Sequence, residues 1–582
     1  MSANSISKSI IYREPVTVDK SLSNLPLLLQ RIFATRGIQK LEELDLHLSQ
    51  LSPPTTLFGI ESIVELLIES IETAAKIIIV ADYDADGATA CAIAMRGLTL
   101  LGAKNLDFMV PNRFEHDYGL TPELVLLIKK TFPAVAVIIT VDNGISSVEG
   151  VEMANQLGIK VGITDHHAPP SQLPAATAIV NPKLINNTHK LSHLAGCGVM
   201  FYVLWAIRHS LINIGRFSAD SAPNLAVLLD YVALGTIADV VVLDQTNRIL
   251  VQQGLARIRA GQAHYGIQAL IQLAAREMRQ LTSSDLGFSI APRLNAAGRM
   301  SDMSLGIRCL LADDITTALA LAQQLEQFNQ QRKTCEAQMK QQAIRLIDHI
   351  ERIDTHPLLS GICLYDKEWH SGIIGILAAR LKERCQRPVI AFAAAKGEEI
   401  RGSARSIQGI HIRDVLSEIA TAYPKLLKQF GGHAMAGGLT LKLSDLPSFT
   451  LIFNQIIHDK LMTLDPVQTI VCDGQLSSTE LIIDTAHLIK YASVWGHGFP
   501  EPLFHNTFSV IQCRILAQQH VKWVLKLTNT SVLIDAIAFF VDQPNNWLTV
   551  STIEAIYRLD INYYRGQNQL QLQLIHFFAV TH

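Results

Sequence analysis

The stretch Ile77-Ile78-Ile79-Val80-Ala81-Asp82-Tyr83-Asp84-Ala85-Asp86-Gly87 decides the fold: an apolar, β-branched run passes without a break into three alternating carboxylates. Working outward, the pattern recurs twice. Val137-Ile138-Ile139-Thr140-Val141 leads into Asp142-Asn143-Gly144, and Val161-Gly162-Ile163-Thr164 leads into Asp165-His166-His167. Continuous apolar runs of this length fit strands buried on both faces, and helical stretches between them imply a parallel sheet. The expected class is α/β, repeating over about residues 50–240. Ligands of such sheets bind beyond the carboxyl ends of the strands, and here each of those ends is acidic.

Carboxylates crowded at the ends of buried strands repel one another and call for cations. A calcium loop of the EF-hand kind needs a glutamate at its twelfth position and flanking helices. Position 93 is Ile and a strand precedes the loop, so that option falls. His166 and His167 add imidazole, and mixed nitrogen and oxygen donors favour Mn2+ or another transition ion over a pure Mg2+ cage. Neighbouring side chains at a strand end point different ways. One histidine is therefore expected on a metal, with the other free to meet a phosphate.

At 582 residues, 49% hydrophobic and 17% charged, the chain is a folded protein too long for one core. A net charge of −3 gives no global signal for nucleic acid, so any contact with it must come from local basic clusters. Residues 380–405 hold seven basic side chains (Arg380, Lys382, Arg384, Arg387, Lys396, Arg401, Arg405) against three acidic ones, which suits a wall that tracks phosphates. The eight cysteines form no C-x-x-C pair, against a zinc site or a disulfide framework. Apolar stretches such as 134–141 fall far short of the roughly 18 residues of a membrane span. Residues 1–15 lack a signal peptide's apolar region, so a cytoplasmic protein is expected. Residues 315–350, without Gly or Pro, read as one long connecting helix. A second α/β segment follows, with a helix at 374–384 and glycine-rich turns at Gly402 and Gly431-Gly432. Beyond about residue 465, β-like runs at 508–511, 523–527 and 534–541 indicate a small all-β module.

Asp84-x-Asp86, Asp142, Asp165-His166-His167 and the Asp239 of Gly235-Thr236-Ile237-Ala238-Asp239 resemble the four motifs of the DHH phosphoesterase superfamily. Gly431-Gly432-His433-Ala434-Met435-Ala436-Gly437-Gly438 resembles the nucleic-acid-contacting motif of its companion, the DHHA1 domain. Further segments are similar to the RecJ exonuclease family: Pro111-Asn112-Arg113-Phe114, Tyr118-Gly119-Leu120, Ala291-Pro292-Arg293-Leu294-Asn295-Ala296-Ala297-Gly298-Arg299, Trp369-His370-Ser371-Gly372 and Trp495-Gly496-His497-Gly498-Phe499-Pro500. The likeness runs in chain order beyond about residue 45. It implies an N-terminal extension (1–50), a DHH catalytic domain with a helical part (51–314), a connector helix (315–352), a DHHA1-like domain (353–462) and a C-terminal OB-fold (463–582).

The implied activity is removal of mononucleotides from single-stranded DNA, 5′ to 3′, in repair and recombination, with two Mn2+ or Mg2+ ions about 3.5–4 Å apart. The resemblance also implies a single-strand-binding protein and a helicase as partners, and a monomer with no membrane attachment. Asp82, Asp84, Asp86, Asp142, His166 and Asp239 are the expected metal residues, with Asp142 or Asp239 as the bridge. His167 would face the scissile phosphate, while Asp165 and Asp82 would orient ligands through hydrogen bonds. Many superfamily members place a metal-binding histidine where this chain has Val80, which leaves open how Asp82, Asp84 and Asp86 divide the work. A 5′-phosphate is best held by arginine forks. Arg405, in a glycine-opened turn, is the first choice, with Arg113, Arg293 and Arg299 beside it. Asn295, His370, Ser403, Gly432 and His433 complete the DNA-contacting set, and Tyr118 is placed to stack on a base.

Two rival readings share these motifs. One is a phosphodiesterase for short oligonucleotides or cyclic dinucleotides, for which the connector and the β-module would be superfluous. The other is a non-catalytic replication scaffold, which would have no use for the full set of aspartates and His166.

Overall fold

The computed structural model describes residues 8–113, 118–184, 190–353, 360–463, 468–528, 530–564 and 567–580, so Phe114 lies outside it. The chain forms two compact units. The larger comprises residues 8–294, 303–322 and 469–582, the smaller residues 295–302 and 323–468.

The larger unit is built on a five-stranded parallel sheet: β1 (Lys76–Ala81), β2 (Leu106–Met109), β3 (Val135–Val141), β4 (Lys160–Thr164) and β5 (Ala178–Val180). The three quoted runs are β1, β3 and β4. Each is buried almost throughout, as runs without polar alternation require. The two edge strands escaped the sequence reading because they are only four and three residues long. In space the order is β2-β1-β3-β4-β5. Chain direction across the sheet therefore reverses between β1 and β3, and their carboxyl ends flank the crevice where such sheets bind ligands. Against the sheet lie α1 (Ala85–Leu100) and α2 (Gly196–Asn213), and α3 (Leu229–Ala238) packs on these two helices. α1 and α3 bury residues on every side, as central helices do.

The C-terminal part of this unit is a closed barrel of β11 (Phe504–Leu516), β12 (His520–Leu527), β13 (Leu533–Ala538), β14 (Thr552–Tyr564) and β15 (Gln567–Ala579), in the order β11-β12-β13-β15-β14. Only β13 and β15 pair in parallel. Five strands closing this way make an OB-fold, filled by Phe504, Phe508, Trp523 and Tyr557. The lead-in to the barrel is anchored elsewhere in the unit. Trp495 and Phe499 stack on each other (5.3 Å) and on Phe33 of the helix Leu27–Ala34 (6.2 and 6.4 Å). Asp473 is held by the buried guanidinium of Arg36.

The smaller unit carries a mixed sheet of β6 (Ile362–Tyr365), β7 (Val389–Ala394), β8 (Glu399–Arg405), β9 (Gln429–Gly432) and β10 (Ala436–Lys442), in the order β9-β10-β8-β7-β6. The long helix is present as α4 (Ile315–Ile353), and α5 (Ile374–Cys385) lies along β7 and β8. Two sequence expectations are corrected here. Gly402 is inside strand β8 and Gly431-Gly432 ends strand β9, so neither is a turn. Gly402 serves packing: a Cβ there would lie 2.5 Å from the Phe392 ring and 2.8 Å from Leu439. The turn itself is His433 to Met435, between β9 and β10. All eight cysteines are free thiols. Among the described residues no single helix is long and apolar enough to cross a membrane.

Candidate metal centre and nucleic-acid interface

The acidic residues converge because three strand ends and three helix ends meet at the crevice. Asp84 caps α1, its Oδ1 accepting from the N–H groups of Asp86 and Gly87 at 3.0 Å each. Asp86, in the first turn of α1, accepts from Gly196 N–H (2.6 Å) and Cys197 N–H (3.0 Å), the first turn of α2. Opposing a carboxylate to a helix N-terminus is favourable on both sides. Gly196 is obligatory at that approach, since a Cβ would sit 2.6 Å from Asp142 Cβ and 2.7 Å from its Oδ1. Asp142 follows β3 in the left-handed region (φ +62°), which aspartate tolerates better than most residues. Asp239 ends α3.

His166 sits at the focus. Its Nε2 lies 3.1 Å from Asp142 Oδ1, 3.5 Å from Asp239 Oδ2 and 3.9 Å from Asp86 Oδ2. Three donor sets overlap: Asp82, Asp84 and Asp142; Asp86, His166 and Asp239; and Asp142, His166 and His167, each with ligand atoms within 4.8 Å of one another. Asp142 belongs to the first and third sets and lies beside His166, so it stands at the junction, whereas Asp239 belongs to the second alone. Val80 is wholly buried within β1.

The electrostatics of this arrangement fit cations. Burial, then the neighbouring carboxylates, pushes Asp142 well above the ordinary range and raises Asp86. The same causes take Asp82 and Asp239 to about 8. Burial takes His166 down to about 4, leaving a neutral imidazole with a lone pair to donate. Asp142 Oδ1 and His166 Nε2 are both buried without a hydrogen-bond partner among the described residues. Buried polar atoms left unpaired cost about 1–3 kcal/mol each, and a divalent ion would satisfy both.

Asp165 enters none of these sets. Its Oδ1 accepts from the backbone of His166 (2.7 Å) and His167 (3.0 Å) and from His167 Nδ1 (2.8 Å), and its Oδ2 from Ile145 N–H (2.9 Å). Burial alone would raise its pKa. The His167 hydrogen bond and charge outweigh that and hold it low. The converse holds for His167, where burial opposes charge but the Asp165 bond and charge win, taking it to about 9. At neutral pH His167 is an imidazolium at the rim of the site. Tyr118 meets it edge-on at 6.0 Å and meets Tyr83 likewise at 6.0 Å, and the Arg113 guanidinium lies 4.7 Å over the Tyr83 ring. Tyr83, Gly196 and Cys197 were missed in the sequence. Tyr83 stands in plain view between two aspartates, but the two N–H donors come from more than 100 residues away.

In the smaller unit four expected residues gather at the first turn of α5. Arg405 Nη1 donates to Ser403 Oγ (3.2 Å) and to the Ala404 carbonyl (2.8 Å). Gly375 keeps α5 close, since a Cβ would stand 3.0 Å from Ser403 Oγ and 3.1 Å from Arg405 Nη2. Nearby, His370 Nδ1 accepts from Gly372 N–H (3.1 Å), while Arg299 Nη1 donates to the Gly372 carbonyl (3.2 Å). Burial depresses the Arg405 pKa, and no carboxylate pairs with it among the described residues. Asn295 is on the helix Ala291–Met300 with Arg299, and Gly432 and His433 lie at the β9–β10 turn. Arg293, in the larger unit, is committed to the carbonyls of Ser289 and Leu273. Arg380 of the basic stretch is engaged by Glu336 and Glu383.

A parallel sheet with acidic strand ends, a buried histidine and overlapping donor sets defines a metal-dependent phosphoesterase of the DHH kind. Family models agree: DHH family, N-terminal domain, matches residues 76–236, DHHA1 domain residues 358–459, and RecJ OB domain residues 472–576. The single-stranded-DNA-specific exonuclease RecJ of Haemophilus influenzae is 45% identical over 97% of this chain and 98% of that protein. The Escherichia coli protein of the same name is 45% identical over 94% and 95%. The crystal structure of RecJ in complex with Mn2+ from Thermus thermophilus superimposes with a TM-score of 0.80 at 27% identity, covering 97% of this chain and 79% of that one. The chain belongs to the RecJ family of single-stranded-DNA-specific exonucleases.

Proposed function

We propose that this chain shortens single-stranded DNA from its 5′ end, releasing mononucleotides, in DNA repair and recombination. The observation that carries the reading is the group of overlapping donor sets meeting at Asp142 and His166, both with unpaired buried atoms. Relatives crystallised with Mn2+ and with Mg2+ support either ion. Two such ions, when bound, supply an activated water and charge stabilisation for in-line displacement at phosphorus. Asp82, Asp84 and Asp142 would hold one ion, and Asp86, His166 and Asp239 the other, with Asp142 shared. His167, kept charged by Asp165, would donate from its free Nε2 to a non-bridging oxygen of the scissile phosphate. Asp165 acts through His167 as a positioning residue. Water's oxygen bonds to phosphorus, the bond to the 3′ oxygen breaks, and that oxygen takes up a proton.

Tyr118 and Tyr83 at the rim would receive the terminal base by stacking. Arg405 and Ser403, beside the first turn of α5, are the proposed holders of the 5′-phosphate, with Arg299 and His370 supporting that turn. Arg113, Arg293, Asn295, Gly432 and His433 complete the proposed DNA-contacting set, and the barrel is a further proposed binder of the single strand. The domain division is proposed as 1–50, 51–314, 315–352, 353–462 and 463–582. A monomer acting with a single-strand-binding protein and a helicase in the cytoplasm fits the family. Digestion of a long single strand compared with a dinucleotide tests the reading. Faster turnover of the dinucleotide would transfer the chain to the small-substrate phosphodiesterases.

A further inference from the structure

Asp239 ends α3, and the residue after it adopts a costly conformation. Val240 is β-branched and 62% exposed, yet its φ is +61°. For such a side chain that region is strained, and an exposed valine recovers little by burial. The turn is fixed from outside. Nδ1 of His497 donates to the Val240 carbonyl at 2.8 Å, and Leu243 N–H donates to the His497 carbonyl at 2.8 Å. Because a carbonyl only accepts, Nδ1 must carry the ring proton. His497 thus holds both ends of the turn 240–243.

The clasp fits closely. A Cβ at Gly496 would lie 2.6 Å from Leu243 Cδ1, and one at Gly498 2.7 Å from Val242 Cγ1. Ser283 Oγ donates to the Trp495 carbonyl (2.7 Å), and Trp495 Nε1 to the Ile489 carbonyl (2.9 Å). With the Trp495–Phe499 stack, the segment entering the barrel is fastened directly behind a metal residue.

We infer that His497 is a positioning residue for the metal centre: it holds the left-handed turn at Val240 and so aims the Asp239 carboxylate at His166. The inference rests on the two-metal reading. It makes the segment leading into the barrel a condition for an intact site, in addition to whatever the barrel does with DNA.

The test uses the DNA-free, full-length protein, with Mn2+ binding counted by the paramagnetic signal of the free ion and folding followed by melting in EDTA. His497→Ala is expected to weaken one of two Mn2+ sites on the order of tenfold, with the EDTA melt unchanged. His497→Asn, whose amide nitrogen can take the place of Nδ1, should restore binding. Val240→Asn in the His497→Ala background should restore it in part, because asparagine tolerates the left-handed region. Wild-type Mn2+ binding by His497→Ala would overturn the inference, as would early melting that His497→Asn fails to rescue. A wild-type protein that binds no second Mn2+ would instead sink the two-metal reading itself.

Discussion

Asp142 combines a left-handed backbone, complete burial and a carboxyl pushed well above its ordinary range. Replacing it with asparagine keeps the backbone preference and removes a charge that the metal-free fold must suppress. We expect Asp142→Asn to lower cleavage by roughly a thousandfold or more and to raise the melting temperature of the EDTA-treated protein. Retained cleavage, or a lowered melt, would contradict the junction role. The neighbouring groups set a pH dependence. Asp82, Asp86, Asp142 and Asp239 all have raised folded-state pKa values, Asp82 and Asp239 about 8, so from the ordinary carboxylate range up through about 8 the folded protein holds more protons than the unfolded chain. Its stability then falls as pH rises. His167, raised to about 9, adds to the trend, since its contribution is lost as pH climbs through that value. His166 works oppositely but only below the unfolded value of 6.5. The metal-free protein should therefore melt lower near pH 8.5 than near pH 7, and Mn2+ should stabilise it more at the higher pH. A metal effect independent of pH would show that the carboxylates need not lose protons to bind.

Among elements, the strands that carry the chemistry were the ones a reader could find. Ile77 to Ala81 and Val137 to Val141 are apolar without alternation because helices cover both faces, and their acidic ends stand out for that reason. What stayed hidden depends on partners distant in sequence. Nothing near Gly196 announces that its N–H caps Asp86, and nothing near His497 announces Val240. Gly402 and Gly431 were misread as turns because a glycine that makes room for Phe392 looks, in sequence, like one that bends the chain. That correction leaves Arg405 at the end of strand β8 beside the first turn of α5, with no carboxylate partner among the described residues. Charged hydrogen bonds contribute about 1.5–3 kcal/mol. Arg405→Ala should accordingly raise KM for 5′-phosphorylated strands about tenfold and leave 5′-hydroxyl strands nearly unaffected. Equal slowing of both would mean that the arginine tracks the backbone without sensing the end.

For the whole molecule, the segment leading into the barrel is part of the larger unit's packing and cannot be removed along with the barrel. Trp495 and Phe499 bury Phe33, and Asp473 satisfies the buried Arg36. Losing large aromatic contacts costs about 3–5 kcal/mol at each site, and a buried cation without its partner costs about as much. A chain ending near residue 460 should melt early or aggregate. One ending at Leu503, just before the barrel, should fold, bind Mn2+ and lose affinity for single strands, with a shallower dependence on salt because fewer counterions are released. Normal melting of the shorter chain would refute this account of the lead-in, and unaltered strand binding by the longer one would make the barrel a platform for protein partners. The measurement that bears most directly on the central claim is a time course on long single strands labelled at either the 5′ or the 3′ end, with Mn2+ or with EDTA. In Mn2+ the 5′ label should leave at once as mononucleotide while 3′-labelled strands shorten gradually, with no products in EDTA. Release of the 3′ label first, internal fragments, or cleavage in EDTA would contradict a metal-dependent exonuclease working from the 5′ end.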